Sequence, residues 1–212
     1  MTTKITKSVM AEALAELARR DPDIRRAYEV LGPPPVRGRR PGFDSLFKII
    51  CAQQVSTASA RAIQARLNEY ADPMTPEVFL GLTDDDHRRV GLSRQKGTYG
   101  RAIAKALVDG DLSLRSVARQ ADGEAIEAMT ALKGIGPWTA QVYLLFALKR
   151  PDLWPVDDLG IVVGYQKLKG LPRRPTRAEM LVAGEIYRPW RSVAARFMWH
   201  VVNSERAERD RM

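Results

Sequence analysis

The sequence predicts an all-α protein. Almost every ordered segment carries a helical signature, and no run shows the sustained alternation of a strand. At 212 residues the chain is long enough for one well-buried core, or for two small lobes sharing a cleft. The clearest linker is Gly32-Pro33-Pro34-Pro35-Val36-Arg37-Gly38-Arg39-Arg40-Pro41-Gly42.

Residues 5–20 repeat apolar side chains at Val9, Ala13 and Leu17, a one-face helical pattern, and residues 22–31 make a short second helix. Beyond the linker, helices over 43–53 and 57–70 flank Gln53-Gln54-Val55-Ser56, and residues 76–80 and 84–90 are short helices. Ser93 is placed to cap a helix through Val108 that Gly110 ends. Residues 121–132, rich in Ala, Glu, Met and Leu, form the next helix, and 137–149 another with Pro137 at its favoured first position. That second segment is apolar almost all round and is expected to be central and buried. Helices over 158–168 (behind Pro155), 176–187 and 189–205 complete the chain. On the last of these, at about 100° per residue, Trp190, Val193, Ala194, Phe197 and Val201 share one apolar stripe. Trp199 falls on the other side, near Ser192, Arg196 and Asn203. Periodicity leaves open whether this indole lines a cleft or packs against a second lobe.

The net charge of +9 favours a polyanionic partner, although basicity also serves solubility. The single cysteine, Cys51, excludes an intrachain disulfide and a four-cysteine metal or cluster site, and it reads as a small core residue. Only two histidines, His87 and His200, are available, so a histidine metal site or catalytic triad is poorly supported. No apolar run approaches the roughly 20 residues of a membrane span, and no signal peptide is recognisable, so no membrane association and a cytoplasmic, reducing location are expected.

The most informative string is Leu132-Lys133-Gly134-Ile135-Gly136-Pro137-Trp138-Thr139-Ala140, followed by Asp157-Asp158. Two glycines around one apolar residue permit positive φ and a close backbone approach between two helices. The amides of Gly134 and Gly136, beside a helix N-terminus, suit a phosphate oxygen, with Lys133 adding a cation and Ile135 plugging the turn into the core. A bare Gly-x-Gly corner could equally be a glycine stop between ordinary helices. Asp157 and Asp158 precede a helix, where an acid commonly acts as a cap.

The longer pattern resembles the helix–hairpin–helix DNA glycosylase superfamily. The hairpin continues as Leu153-Trp154-Pro155-Val156-Asp157-Asp158-Leu159, with Asp158 standing 22 positions beyond Gly136. Three further strings narrow the resemblance to the alkylpurine branch, the 3-methyladenine DNA glycosylase II family. They are Ile50-Cys51-Ala52-Gln53-Gln54-Val55-Ser56, Val90-Gly91-Leu92-Ser93-Arg94-Gln95-Lys96 and Arg188-Pro189-Trp190-Arg191-Ser192-Val193-Ala194. The resemblance covers about residues 43–202 and implies a compact member without the N-terminal β-rich lobe of larger bacterial relatives. It implies one lobe over 43–150 holding the hairpin, a second combining 1–42 with 151–212, and an active-site cleft between them.

The same resemblance implies a monofunctional enzyme of base excision repair, hydrolysing the N-glycosidic bond of 3-methyladenine- and 7-methylguanine-type lesions. Asp158 is the expected catalytic carboxylate, with Asp157 as the expected helix cap. Trp138 stands where strand-cutting relatives carry a Schiff-base lysine, so no lyase activity is expected. Trp138 and Trp199 match the aromatic base pocket, and Gln54 matches the residue that wedges into the gap left by a flipped base. Lys133, Gly134 and Gly136 are expected on the DNA backbone, with Arg94, Lys96, Arg188 and Arg191 as further basic candidates. Val142 stands where well-known members carry a tyrosine, and Tyr143 points about 100° away from that position. No cofactor is expected to be required, although a structural monovalent cation, Na⁺ or K⁺, is implied on the main-chain carbonyls of Thr130, Leu132 and Ile135 when DNA is bound. The expected partner is double-stranded DNA containing damaged bases, met by a monomer that is nucleoid-associated if bacterial. The alternatives left open are a non-catalytic DNA-binding module and a glycosylase for deaminated or oxidised bases.

Overall fold

The computed structural model describes residues 4–36 and 38–209, and among these residues the fold is all-α, with thirteen helices and no strand. They are α1 (Lys7–Arg20), α2 (Pro22–Leu31), α3 (Phe43–Cys51), α4 (Thr57–Asn68), α5 (Pro76–Gly81), α6 (Asp84–Val90), α7 (Arg94–Asp109), α8 (Leu114–Val117), α9 (Asp122–Thr130), α10 (Pro137–Phe146), α11 (Leu159–Leu168), α12 (Arg177–Glu185) and α13 (Arg191–Arg209). The chain divides into two compact units, Arg39–Leu148 and the combination of Met1–Gly38 with Lys149–Met212.

The contiguous unit holds α3 to α10. Local chemistry sets its helix ends: the side chains of Ser56, Thr75, Thr83, Ser93 and Ser113 each accept a first-turn amide, and Gly91 and Gly110 end α6 and α7 in the left-handed conformation. The four-residue α8, capped by Ser113, had no counterpart in the sequence reading because it is too short to show a period. As expected, α10 is central: Thr139, Ala140, Val142, Tyr143, Leu144 and Leu145 are all buried. It ends earlier than its apolar run suggests. The Tyr143 carbonyl accepts both the Ala147 and Leu148 amides, and Lys149 then takes a positive φ of 59°. Beside α10, Phe43, Phe47 and Phe79 form an aromatic cluster that includes the His87 ring, 5.0 Å from Phe79 between centroids. Cys51 is buried, and burial pushes its thiol up to about 12, as suits a core residue.

His87 carries a pH dependence. It is buried, and its Nε2 has no hydrogen-bond partner among the described residues. Burial, then the Arg101 guanidinium, push its pKa below the ordinary value, against the opposing pull of Asp84 and Asp86. The unfolded chain takes up a proton here below about pH 6.5, whereas the folded chain resists it until lower pH. Stability is therefore full above that range and is lost as pH falls through it. The melting temperature is expected to drop by a few degrees between about pH 7 and about pH 5.5, with the slope flattened in His87→Phe. Thermal denaturation at several pH values checks this, and an unaltered slope in the variant would assign the effect to other groups.

The second unit packs α1, α2 and α11 to α13. Buried Asp21 is its corner post: it caps α2 and accepts hydrogen bonds from Lys169 Nζ at 2.6 Å and Tyr187 Oη at 2.8 Å. Lys169 follows α11 directly, so this pairing fixes the far end of that helix. Helix α13 departs from the sequence reading. Val193, Ala194, Phe197 and Val201 are buried as expected, yet Ser192 and Arg196 on the supposed polar side are buried too. Ser192 explains its own case: its amide donates to Pro151 O at 2.9 Å and its Oγ accepts the Leu153 amide at 2.9 Å. No described helix is long and apolar enough to cross a membrane.

Candidate active site

Asp158 sits at the N-terminus of α11 because the segment before it is anchored. Leu153, Trp154 and Val156 are buried, and Trp154 Nε1 donates to Met180 O at 2.7 Å. A turn closed by the Asp158 amide on Pro155 O, 3.0 Å, then delivers the acid to the helix end. There its Oδ1 accepts two donors, the Ile161 amide at 3.0 Å and Trp199 Nε1 at 2.8 Å. Asp158 is only 8% exposed. A carboxylate so placed is shielded from bulk water and oriented by two fixed donors at a helix N-terminus.

One expectation changes here, and one open question closes. The cap of α11 is Asp158, not Asp157. Asp157 is exposed and pairs with Arg177 Nε at 3.1 Å. One residue therefore combines the capping and candidate catalytic places: Asp158 stands in extended backbone directly before α11, and from there its side chain reaches the Ile161 amide, the third of the helix. Trp199 gains its explanation as well: it is half-buried on α13 with its polar edge spent on Asp158.

Sequence reasoning missed two glycines on α11. A β-carbon at Gly160 would meet Trp199 Cδ1 at 2.6 Å and Nε1 at 2.8 Å. One at Gly164 would strike the backbone of Met198. Glycines four apart inside the expected helix 158–168 were the available signal, since they make a groove on one face into which another helix can settle.

The hairpin lies in the other unit. Gly134 takes φ 100°, and a β-carbon there would also meet the Tyr99 ring at 2.5 Å, so both conformation and space require glycine. Ile135 is buried and donates its amide to Leu132 O at 3.1 Å, the plug expected of it. Gly136 is the N-cap of α10 and offers no side-chain cap, and Lys133 is exposed. Trp138 is half-buried at the second position of α10. Tyr143 is fully buried, with its hydroxyl accepting the Gly42 amide at 3.0 Å.

Gln54 is exposed with φ 54°, a left-handed conformation that a non-glycine residue adopts at a cost. Its neighbours hold it there. Lys96 Nζ donates to Cys51 O and Gln53 O at 2.8 Å each, and Gln53 Nε2 donates to Thr139 Oγ1 at 2.8 Å. The Lys96 charge is thus committed to the end of α3. Arg191 and Arg188 are likewise committed, both to Asp152.

Residues 47–189 match the family model for the HhH-GPD superfamily base excision DNA repair protein. DNA-3-methyladenine glycosylase 1 of Schizosaccharomyces pombe is 31% identical over 197 residues, which cover 90% of this chain and 86% of that protein. The solved Schizosaccharomyces pombe 3-methyladenine DNA glycosylase in complex with abasic DNA superposes with a TM-score of 0.81, covering 89% of this chain and 95% of that one. A Bacillus halodurans DNA-3-methyladenine glycosidase structure, 27% identical, gives 0.76 over 92% and 91%. The fold and the hairpin with its following acid define a helix–hairpin–helix DNA repair protein. The chain belongs to the HhH-GPD superfamily, on its 3-methyladenine DNA glycosylase branch.

Proposed function

We propose that the protein is a monofunctional DNA glycosylase that hydrolyses the N-glycosidic bond of alkylated purines in duplex DNA. The observation that carries this reading is the buried Asp158 carboxylate, with one oxygen held by the Ile161 amide and the Trp199 indole. A purine stacked in a duplex must be flipped out before its sugar can be attacked. Once alkylated on a ring nitrogen the base carries positive charge and leaves with the bonding electron pair, so little general acid is needed. The developing positive charge on the sugar needs a fixed anion, and Asp158 supplies it. The same carboxylate orients the attacking water. The water oxygen bonds to the anomeric carbon as the carbon–nitrogen bond breaks, and its proton passes to the carboxylate.

Supporting residues follow from what they touch. Trp199, and separately Trp138, are proposed as aromatic faces for a cationic base, each contributing about 0.5–2 kcal/mol of cation–π attraction. Gln54, held at positive φ on the exposed α3–α4 turn, is proposed as the wedge. Lys133 and the Gly134 and Gly136 backbone are proposed to grip phosphate, aided by the uncapped N-terminus of α10. A monovalent cation, Na⁺ or K⁺, is proposed on the Thr130, Leu132 and Ile135 carbonyls when DNA is bound. Neutral carbonyls suit such an ion: Thr130 ends α9, where intrahelical donors run out, and Leu132 O keeps a second lone pair beside its bond to Ile135. The ion's part is to link protein to phosphate, not to break the glycosidic bond. The working form is proposed to be a monomer in the cytoplasm.

Release of free 3-methyladenine or 7-methylguanine from methylated duplex tests the activity. The capping role of Asp158 also fits a binding-only module, which would hold abasic duplex yet release no base. Release confined to duplexes containing hypoxanthine, ethenoadenine or 8-oxoguanine would move the substrate class. Affinity for abasic duplex is expected to fall by at least about tenfold between roughly 50 and 200 mM salt, as phosphate-led binding requires. Fluorescence anisotropy across that range checks it, and a flat response would remove phosphate from the leading role.

A further inference from the structure

We propose that Gly160 is a positioning residue for the reaction, its missing side chain being what allows the Trp199 indole to reach and orient the Asp158 carboxylate. The inference rests on the reading of Asp158 as the catalytic carboxylate. A β-carbon at Gly160 would lie 2.6 Å from Trp199 Cδ1, 2.8 Å from Trp199 Nε1 and 3.1 Å from Asp158 Oδ1. The three nearest neighbours of that empty place are thus the indole edge and the very oxygen it binds. The backbone does not ask for glycine: Gly160 is the second residue of α11 and its φ lies outside the left-handed range. Glycine weakens a helix, so only the space explains its presence.

The geometry has a consequence for both partners. The Ile161 amide comes from within α11, whereas the indole comes from α13. Two donors on Oδ1 from different elements fix the carboxylate plane and hence the place of Oδ2. An anion must be aimed at the sugar to a fraction of an ångström to be effective, and misplacement by about 1 Å can cost a hundredfold in rate. Trp199, for its part, meets a base through its ring rather than through an indole N–H already bound to Asp158. It therefore selects by ring charge and shape rather than by a hydrogen bond to a purine acceptor.

The test compares wild type, Gly160→Ala, Trp199→Phe and the double variant, with Asp158→Asn as reference. Single-turnover release of 7-methylguanine from methylated duplex, affinity for abasic duplex and melting temperature are measured for each. Trp199→Phe keeps an aromatic face and loses the N–H, so both single variants are expected to slow release by about tenfold, the worth of a hydrogen bond to a charged group. Abasic affinity is expected to stay within about threefold, since phosphate contacts dominate it. The smaller phenyl ring makes room for the new methyl group. The double variant is therefore expected to regain the melting temperature that Gly160→Ala loses, while remaining no slower than the slower single variant. Wild-type rate in Gly160→Ala, or losses that multiply in the double variant, would overturn the proposal. If Gly160→Ala does not fold, Trp199→Phe decides: a wild-type rate there overturns it equally. An inactive Asp158→Asn beside an unaffected Gly160→Ala refutes this proposal alone, whereas an active Asp158→Asn refutes the reading beneath it.

Discussion

Asp158→Asn is expected to lose at least about a hundredfold in single-turnover base release, the scale on which a positioned general base or charge acts, while keeping its fold and its grip on abasic duplex. The substitution separates two roles that one residue holds. An asparagine oxygen caps a helix about as well as an aspartate oxygen, so the Ile161 amide keeps its acceptor, as does Trp199 Nε1. Melting is then expected to change by less than about 0.5 kcal/mol, where Asp158→Ala would lose about 0.5–2 kcal/mol with the cap. What asparagine lacks is the negative charge, and with it the stabilisation of a cationic sugar. Binding has no reason to weaken, since removing an anion lowers repulsion toward phosphate. Single-turnover assays beside anisotropy on abasic duplex give both numbers. A rate near wild type would leave Asp158 as a cap and nothing more.

Much of this was legible in the chain because the decisive features are local. Pro137 at a helix start, Ser93 and Gly110 around α7, and the Gly134 turn each obey rules that operate within a few residues. The all-round apolar character of 137–149 placed α10 in the core for the same reason. What was not legible depends on neighbours far along the chain. Asp157 and Asp158 are alike as sequence, and only the turn from Pro155 decides which one caps. The buried side of α13 looked polar because Ser192 is satisfied by residues 151 and 153, about forty positions upstream. Lys96 looked like a phosphate ligand until its ammonium was found on the carbonyls of Cys51 and Gln53. Charge composition cannot tell a solvated lysine from one that holds a turn. The seat of Trp199 escaped for a related reason: periodicity reports where a side chain points, whereas Gly160 and Gly164 act through what is missing.

The largest effect on folding is expected at Gly164. A methyl group there would be driven against the Met198 carbonyl oxygen, with its carbon at 2.7 Å and its Cβ at 2.8 Å. Two of those three atoms are backbone, so no rotamer change relieves the contact, and α13 has to shift away from α11 as a body. Two terms compete. Replacing a mid-helix glycine by alanine gains up to about 1 kcal/mol in helix propensity, whereas overpacking a close contact costs about 1–3 kcal/mol. Because the obstacle is main chain, the cost belongs at the upper end, and Gly164→Ala is expected to lose about 1–2 kcal/mol net. For a chain of this size that lowers the melting temperature by several degrees, about 2–4 °C for each kcal/mol. Gly123→Ala is the matched control: it lies within α9 with nothing inside 4 Å of the new methyl, so propensity acts alone and the variant is expected to be no less stable than wild type. Trp199 is the residue after Met198, so a shift of α13 also draws the indole from Asp158 and slows base release at temperatures where the protein is still folded. Denaturation of the two variants side by side decides the matter. A Gly164→Ala protein as stable as Gly123→Ala would mean that α13 does not depend on the groove at Gly164, and the account of how Trp199 reaches the carboxylate would lose its footing.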